Sequence, residues 1–252
     1  GGGASLTLNT CVIQNCSATQ IAGGVYSSDG TLTIINTTFK SNSCTSGAAA
    51  LFTPGNITMS GSKFEANMNS GTYAFLYQTA SSVTFSMTNC TFSNNGTFAM
   101  GYYNPMGSGT ITNCTFTDNG MGIYLYAGTL LMKNSLFAGH SSDFLGNPVS
   151  ASSSNNVFES AAAGGMSNGV NSNQVGIGNA EVLAIANNGG PTKTVALAQC
   201  SPAINAGTSS GAPSTDQRGS SRVGSVDVGA FEYQSTPSLI TLNTTPTNPA
   251  CN

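Results

Sequence analysis

From Leu6 to His140 the chain is written in short alternating runs of apolar and polar residues, broken at close intervals by Asn, Ser, Thr and Gly. No run carries an apolar stripe at helical spacing, so each reads as a β-strand. The runs also recur. Laid in register, copies of an eleven-residue block begin at Leu6, Leu32, Ile57, Phe85, Gly109 and Leu130, at spacings of 26, 25, 28, 24 and 21 residues. The first and third positions are usually apolar. The eighth is Ile13, Phe39, Phe64, Phe92, Phe116 and Phe137, and the eleventh is Asn42, Asn67, Asn95 and Asn119 in four of the copies. The sixth is small throughout: Cys11, Thr37, Ser62, Cys90, Cys114 and Ser135. Between blocks lies a second apolar segment, marked by Tyr26, Phe52, Tyr77, Tyr103 and Tyr126.

One block cannot bury its own apolar face, but stacked blocks can. The pattern therefore predicts an all-β fold, a right-handed parallel β-helix (solenoid) of about six to eight coils with a C-terminal capping module. Neighbouring coils would lie about 4.8 Å apart, with equivalent positions directly above one another. The eighth position becomes an internal aromatic ladder, at roughly 1.5–3 kcal/mol per buried Phe. The Asn three residues later is expected at a corner, in left-handed backbone, its amide bonded to the next Asn along. An antiparallel sandwich is the competing fold. Six copies in register weigh against it, and uneven spacing suits turns of varying length. Residues 1–148 are read as coils, 149–234 as final coils and cap, and 235–252 as a Thr/Pro-rich tail or linker.

Two resemblances attach to these residues. FKSN (39–42), FEAN (64–67), FSNN (92–95) and FTDN (116–119) resemble the FxxN repeats of polymorphic outer membrane proteins, over about residues 5–145. NNGGPTKTVAL (187–197), SPAINAG (201–207), TDQRG (215–219) and VDVGAFEY (226–233) resemble the closing module of bacterial choice-of-anchor Q surface proteins, with Cys200 where a small residue is usual. These resemblances imply a bacterial extracellular or cell-surface β-helix and no particular chemistry. Physically the segment reads as a cap over the unpaired edge of the last coil. Five charged residues gather in it, Asp216, Arg218, Arg222, Asp227 and Glu232. Arg218 is expected at the centre of a buried network with Asp227 or Glu232, since a charge in such a turn needs a partner.

Composition narrows the function. Only 6% of residues are charged and the net charge is −3 with six basic residues, too few to neutralise a run of phosphates, so nucleic acid is not an expected partner. No apolar run reaches the roughly 20 residues of a membrane helix. With one histidine and no CxxC pair, no metal or other cofactor is expected. Residue 1 is Gly, which reads as a processed product or a piece of a longer protein, with a first coil edge open to self-association, including strand donation by the Thr/Pro tail of a neighbour, or to neighbouring domains of that chain. Cys90 and Cys114 share the sixth position of adjacent coils and are expected as a thiol pair or a disulfide. Bridges Cys16–Cys44 and Cys200–Cys251 are the other candidates.

Paired carboxylates are the signature of an enzymatic β-helix, and they are scarce here. The acids before residue 145 are Asp29, Glu65, Asp118 and Asp143, at different block positions in different coils. Asp118 is the best single catalytic candidate, and a solvated corner is its simpler reading. His140 replaces the Asn of the last block and reads as structural, so no catalytic residue is assigned. The tyrosines Tyr26, Tyr77, Tyr102, Tyr103, Tyr124 and Tyr126 with Phe52 form either a glycan-stacking platform or a second core ladder, depending on which of each pair points outward. The expectation is a non-catalytic surface protein, structural or adhesin-like, with a glycan or host-surface ligand or a filament role. The alternative is a polysaccharide-binding or polysaccharide-cleaving β-helix.

Overall fold

The computed structural model describes residues 4–28, 30–69, 73–79 and 81–234, and its coil runs through three strand-bearing sides. The first side stacks Ser5–Asn9, Thr31–Ile35, Asn56–Ser60 and Phe85–Thr88 in parallel, then continues into the second halves of Phe98–Thr112 and Met121–Lys133. The second side is an eight-stranded ladder from Val12–Gln14 to Gln174–Val175, also parallel. The third side joins Ser17–Ala22, Ser43–Thr53, Tyr73–Gln78, the first halves of the two long strands, and Phe144–Gly146. Six coils carry all three sides; two shortened turns follow, through Val157–Phe158 and Gln174–Val175. The fold is the all-β parallel solenoid that the repeat predicts.

Two sharp corners per coil make this winding possible. The fifth block position is left-handed in Thr10, Asn36, Gly61, Asn89, Asn113, Asn134 and Asn155, with φ between 50 and 61°. The tenth is left-handed in Asn15, Ser41, Ala66, Asn94, Asp118 and Gly139, with φ between 52 and 68°. Asn tolerates this region better than other residues with a Cβ, which explains its frequency at the fifth position. The eleventh-position Asn was expected at the corner itself. It instead lies one residue past it, inside the coil, where Asn42, Asn67, Asn95 and Asn119 are almost wholly buried.

The core is a stack of rings. Phe39, Phe64, Phe92, Phe116 and Phe137 lie nearly parallel at centroid separations of 4.6, 4.4, 5.0 and 4.6 Å, and Phe158 adds a further ring at 4.7 Å. Ile13 packs against its first end. Beside the rings runs a chain of amides. Nδ2 of Asn42, Asn67 and Asn95 donates to Oδ1 of the Asn one coil further on, at 3.0, 3.0 and 2.8 Å. The same oxygens accept the backbone N–H groups of Asn42, Asn67 and Asn95 at 3.1, 3.0 and 3.0 Å, which fixes every amide in one orientation. The other amide proton goes back to the carbonyl of Ile13, Phe39, Phe64 or Phe92. Every amide atom of the Asn42, Asn67, Asn95 and Asn119 ladder is hydrogen-bonded.

The chain of amides ends at His140. Asn119 Oδ1 is already held by Asn95, so Asn119 Nδ2 must donate to His140 Nε2, at 3.1 Å. Nε2 is thus an acceptor, and the ring proton sits on Nδ1, 2.9 Å from Asp143 Oδ1. The Cβ-bearing residues at the sixth position form a parallel ladder, with Thr37, Ser62, Cys90, Cys114 and Ser135 each donating to the carbonyl two residues before.

The C-terminal module departs from expectation. The end of the core is closed by residues 149–173, with Val149, Ala163 and Met166 packed on it. The motif-rich segment after residue 180 does not cover that end. It runs back along the outside of the second side, from the last coils towards the third. Asn155, Asn134, Asn113 and Asn89 donate in turn to the carbonyls of Ala206, Thr208, Asp227 and Thr215, and Thr192 Oγ1 donates to Gly61 O. Leu136 and Val157 on the outer face join Ala203, Val228 and Phe231 in a second apolar cluster.

The charge network is also redistributed. Arg218 pairs with Asp216 at 2.7 Å, donates to the Glu232 carbonyl and lies 3.7 Å over the Phe231 ring. It is Arg222 that meets the Glu232 carboxylate, at 2.9 Å, and reaches Asn89 Oδ1 on the coil at 3.0 Å. Asp227 instead accepts the backbone N–H groups of Asn205 and Tyr233. Burial holds its carboxyl above the usual range, against the pull of those donors. Its ionisation therefore opposes folding, an effect absent below its unfolded value and growing as pH rises through that value towards the folded one.

The cysteine bridges need correction as well. Cys16 stacks on Asn42, whereas Cys44 sits opposite Ala18, two residues further on, and both are free thiols. Cys90 and Cys114 are a buried thiol pair rather than a disulfide, and burial together with Cys90 pushes the Cys114 thiol up. Cys251 and the 235–252 tail lie outside the described residues, so the Cys200–Cys251 pairing and tail strand donation do too.

Two stability predictions follow from this geometry. Arg222→Ala strands the buried Glu232 carboxylate and should lower stability by about 3 kcal/mol, with Arg218→Ala also destabilising; denaturant melts that leave both variants at wild type would refute the network. His140→Asn and His140→Leu both take the Nδ1–H donor from buried Asp143, but Asn still offers Asn119 an amide oxygen, so His140→Leu should be the less stable of the two by about 1–3 kcal/mol; equal melting of the two would show that the ladder's end carries no such constraint.

Candidate functional site

The third side is where strand alternation leaves large side chains on the outside. Leu51, Phe75, Met100, Ile123 and Phe144 point into the core, as do Tyr77, Tyr102 and Leu125. The intervening register columns must face outward. One contains Tyr26, Phe52, Leu76, Gly101, Tyr124 and Leu145. Another aligns Ala48, Tyr73, Phe98 and Met121. Gln78 and Tyr103 form a third, and Tyr126 stands beside them as the extra residue of a register shift, since Tyr102 pairs with Leu125 but Tyr103 with Ala127. Tyr124 and Tyr126 flank the inward-pointing Leu125 on one strand and so share the outward face by simple alternation; the shift moves only the partner of Tyr103, from Tyr126 to Ala127.

These residues make an apolar cluster of their own, separate from the core. Ala48, Tyr73, Leu76 and Phe98 are its buried members, with Phe52, Met121 and Tyr124 against them. Tyr73 stacks on Phe98 at 5.4 Å and Phe98 on Tyr124 at 5.5 Å, while Tyr124 and Tyr126 lie 3.9 Å apart. The Tyr73 and Tyr126 hydroxyls are hydrogen-bonded to each other. Around this base, Tyr26, Tyr103 and Tyr126 remain 51, 36 and 41% exposed.

At the centre is a hollow of about 340 Å³ lined by Tyr73, Leu76, Gln78, Tyr103 and Tyr126. Gly101 is part of the reason the neighbouring rings settle there. A Cβ at this residue would stand 2.9 Å from both Leu76 Cδ1 and Tyr73 Cδ1. Burial, reinforced by the Tyr126 hydroxyl, raises the Tyr73 phenol well above its ordinary range. None of the third-side strands contains an Asp, Glu, Lys, Arg or His. The hollow is uncharged, and its polar groups are hydroxyls and one amide.

The residues singled out for chemistry are not brought together. Asp118 is exposed at a left-handed corner, accepting from Thr117 Oγ1. Asp143 is fully buried, bonded to His140 and to the backbone N–H of Ser160. Glu65 is ion-paired with Lys63 on the second side. Asp29 lies outside the described residues. Among the described residues no group of His, Cys, Asp and Glu is placed to hold a metal ion. The His140–Asp143 pair, which sequence reasoning did not join, is sealed from solvent and closes the amide ladder.

Substitution separates the two faces of the same strands. Tyr77→Ala and Tyr102→Ala should each cost about 3–5 kcal/mol. Tyr103→Ala, on the exposed rim, should stay within about 0.5 kcal/mol. A Tyr103→Ala melt as damaged as that of Tyr102→Ala would contradict the assignment of faces.

Comparison with curated proteins and with solved structures finds no match. A family model described as right handed beta helix region matches residues 1–137 and, in an overlapping placement, residues 48–191. That span takes in all six full coils and the shortened turns beyond them, with the ring stack, the amide ladder and the aromatic third side. The chain belongs to the right-handed β-helix family.

Proposed function

We propose that this chain is a non-catalytic rod of the adhesin type, displayed outside the cell or on its surface, that engages its ligand through the aromatic third side. The observation that carries the reading is the outward cluster of Tyr26, Phe52, Tyr73, Phe98, Tyr103, Tyr124 and Tyr126, of which three tyrosines stay substantially exposed. An apolar patch of this extent on a well-packed domain is a mark of recognition. The closing motifs between residues 187 and 233 support surface display through their resemblance to choice-of-anchor Q proteins, and the FxxN blocks through theirs to polymorphic outer membrane proteins.

The carboxyls around Asp118 are committed to structural hydrogen bonds, which supports a binder over a glycan-cleaving enzyme. General acid–base cleavage needs a second carboxyl within about 5–10 Å. The nearest candidates by sequence are spent on structure, Asp143 on His140 and Glu159 on the backbone N–H groups of Gly139 and Ala180.

The test pairs adhesion with turnover. Retention of the purified chain on polysaccharide-coated and cell-coated surfaces should be lost in Tyr103→Ala/Tyr126→Ala and unchanged in Asp118→Asn, with no reducing ends or unsaturated products released. Product formation abolished by Asp118→Asn would replace the adhesin reading with an enzymatic one. Retention should also be flat from about pH 5 to pH 9, because Tyr73 is pushed upward and no group that ordinarily titrates in that window lines the hollow; a bell-shaped profile would argue for an acid–base pair.

A further inference from the structure

Resting on the adhesin reading, we infer that the hollow at Tyr73, Leu76, Gln78, Tyr103 and Tyr126 takes a neutral pyranose chain. Three features of the site point to that class. The first is the pairing of apolar and polar surface on the lining residues other than Leu76. A phenol ring offers an apolar face and a hydroxyl tip, and four of the five lining residues combine carbon surface with a hydroxyl or an amide. A pyranose has the complementary construction: its axial C–H groups make apolar faces and its hydroxyls form the edge. A purely apolar ligand would leave the Tyr103 hydroxyl and the Gln78 amide without partners, at a loss for each, whereas the Tyr73 and Tyr126 hydroxyls already bond each other.

Charge is the second feature. The third-side strands carry no ionisable group other than tyrosine and cysteine, and Tyr73 is held in its neutral form by burial and by Tyr126. A uronate, sulfated or sialylated chain would find no Lys or Arg there to offset desolvation of its anions. The chain's cations lie elsewhere. Lys40 and Lys63 are on the second side, Lys193 faces Glu65 there, Lys133 reaches Ser210 O, and Arg218 and Arg222 are paired with Asp216 and Glu232 in the flank module. The face selects against acidic glycans by lacking anything to hold them.

The third feature is extent. The hollow, about 340 Å³, falls at the small end of the roughly 300–1,000 Å³ usual for ligand sites. It is nonetheless flanked along the coil axis by further outward groups in register: Phe52 and Tyr26 towards the first coil, Tyr124 and Leu145 towards the sixth. With coils about 4.8 Å apart, successive groups meet successive units of an extended polymer. The central sugar would sit in the hollow against Tyr103 and Tyr126, with Gln78 and the two hydroxyls at its edge.

Calorimetry on the full chain tests this with neutral hexasaccharides of glucose, xylose, mannose and N-acetylglucosamine, and a hexagalacturonate as the acidic probe. At least one neutral oligomer should bind, insensitive to salt between about 50 and 500 mM because no ion pair is involved. Tyr126→Ala and Tyr103→Ala should each weaken it tenfold or more, and Gln78→Ala several-fold. Thr58→Ala, on the outward row of the first side, should leave it unchanged. Preference for hexagalacturonate, or loss of binding with salt, would overturn the neutral-glycan assignment. Binding to no oligosaccharide, with retention on cell-coated surfaces still abolished by the tyrosine variants, would overturn the ligand class while sparing the adhesin reading. Retention indifferent to those variants would remove both.

Discussion

Everything in this molecule depends on register between coils. The oxygen of each ladder Asn receives a backbone N–H and an amide proton from the coil before, and its own amide returns to the carbonyl beside the ring one coil back. Two left-handed corners set the distance between these groups, so the same eleven-residue path can be traced again with every ring above a ring. A shift of one residue would turn Phe92 or Phe116 outward and bring a polar neighbour in. The ring stack and the Leu, Ile, Met and Tyr side chains packed around it supply the driving force, and the amides supply direction and uniqueness, since they accept only one alignment.

Given that stack, the three sides divide the remaining work. On the first, the outward row Thr7, Thr33, Thr58, Ser86 and Thr110 is small and polar, as suits a wetted sheet. On the second, Thr91, Thr115, Leu136 and Val157 are buried beneath the C-terminal module. Only the third presents a wide run of rings. The placement of recognition there follows from what the other two sides already do.

Much of this was legible in the chain. Phe39, Phe64, Phe92, Phe116 and Phe137 recur at intervals that only a coil explains, and the parallel solenoid follows. The sixth ring, Phe158, was hidden because residues 151–153 before it are Ala-Ser-Ser, without the apolar alternation that marks the earlier blocks. The left-handed corner was placed one residue late, because Asn is favoured both by corners and by amide ladders, and composition does not separate the two uses. The flank module was read as an end cap because its motif stands at the end of the sequence; its contacts span more than a hundred residues and leave no periodic trace. Alternation opposes Tyr102 to Tyr103 and groups Tyr124 with Tyr126, but it does not say which set points outward; the burial of Tyr102 and Leu125 in the core decides that. The His140–Asp143 pair escaped because a histidine at an Asn position suggests substitution, not termination.

The C-terminal module touches the corner residues Asn155, Asn134, Asn113 and Asn89 one coil at a time, and reaches Gly61 beyond them. It is in effect a ruler laid against the rod. Coils added ahead of Gly61 would lengthen the rod and extend the aromatic face without disturbing it. A coil inserted or lost between Gly61 and Asn155 would throw every later mark out of step. Growth by duplication is thereby confined to the N-terminal portion, and the measured segment keeps a constant number of turns.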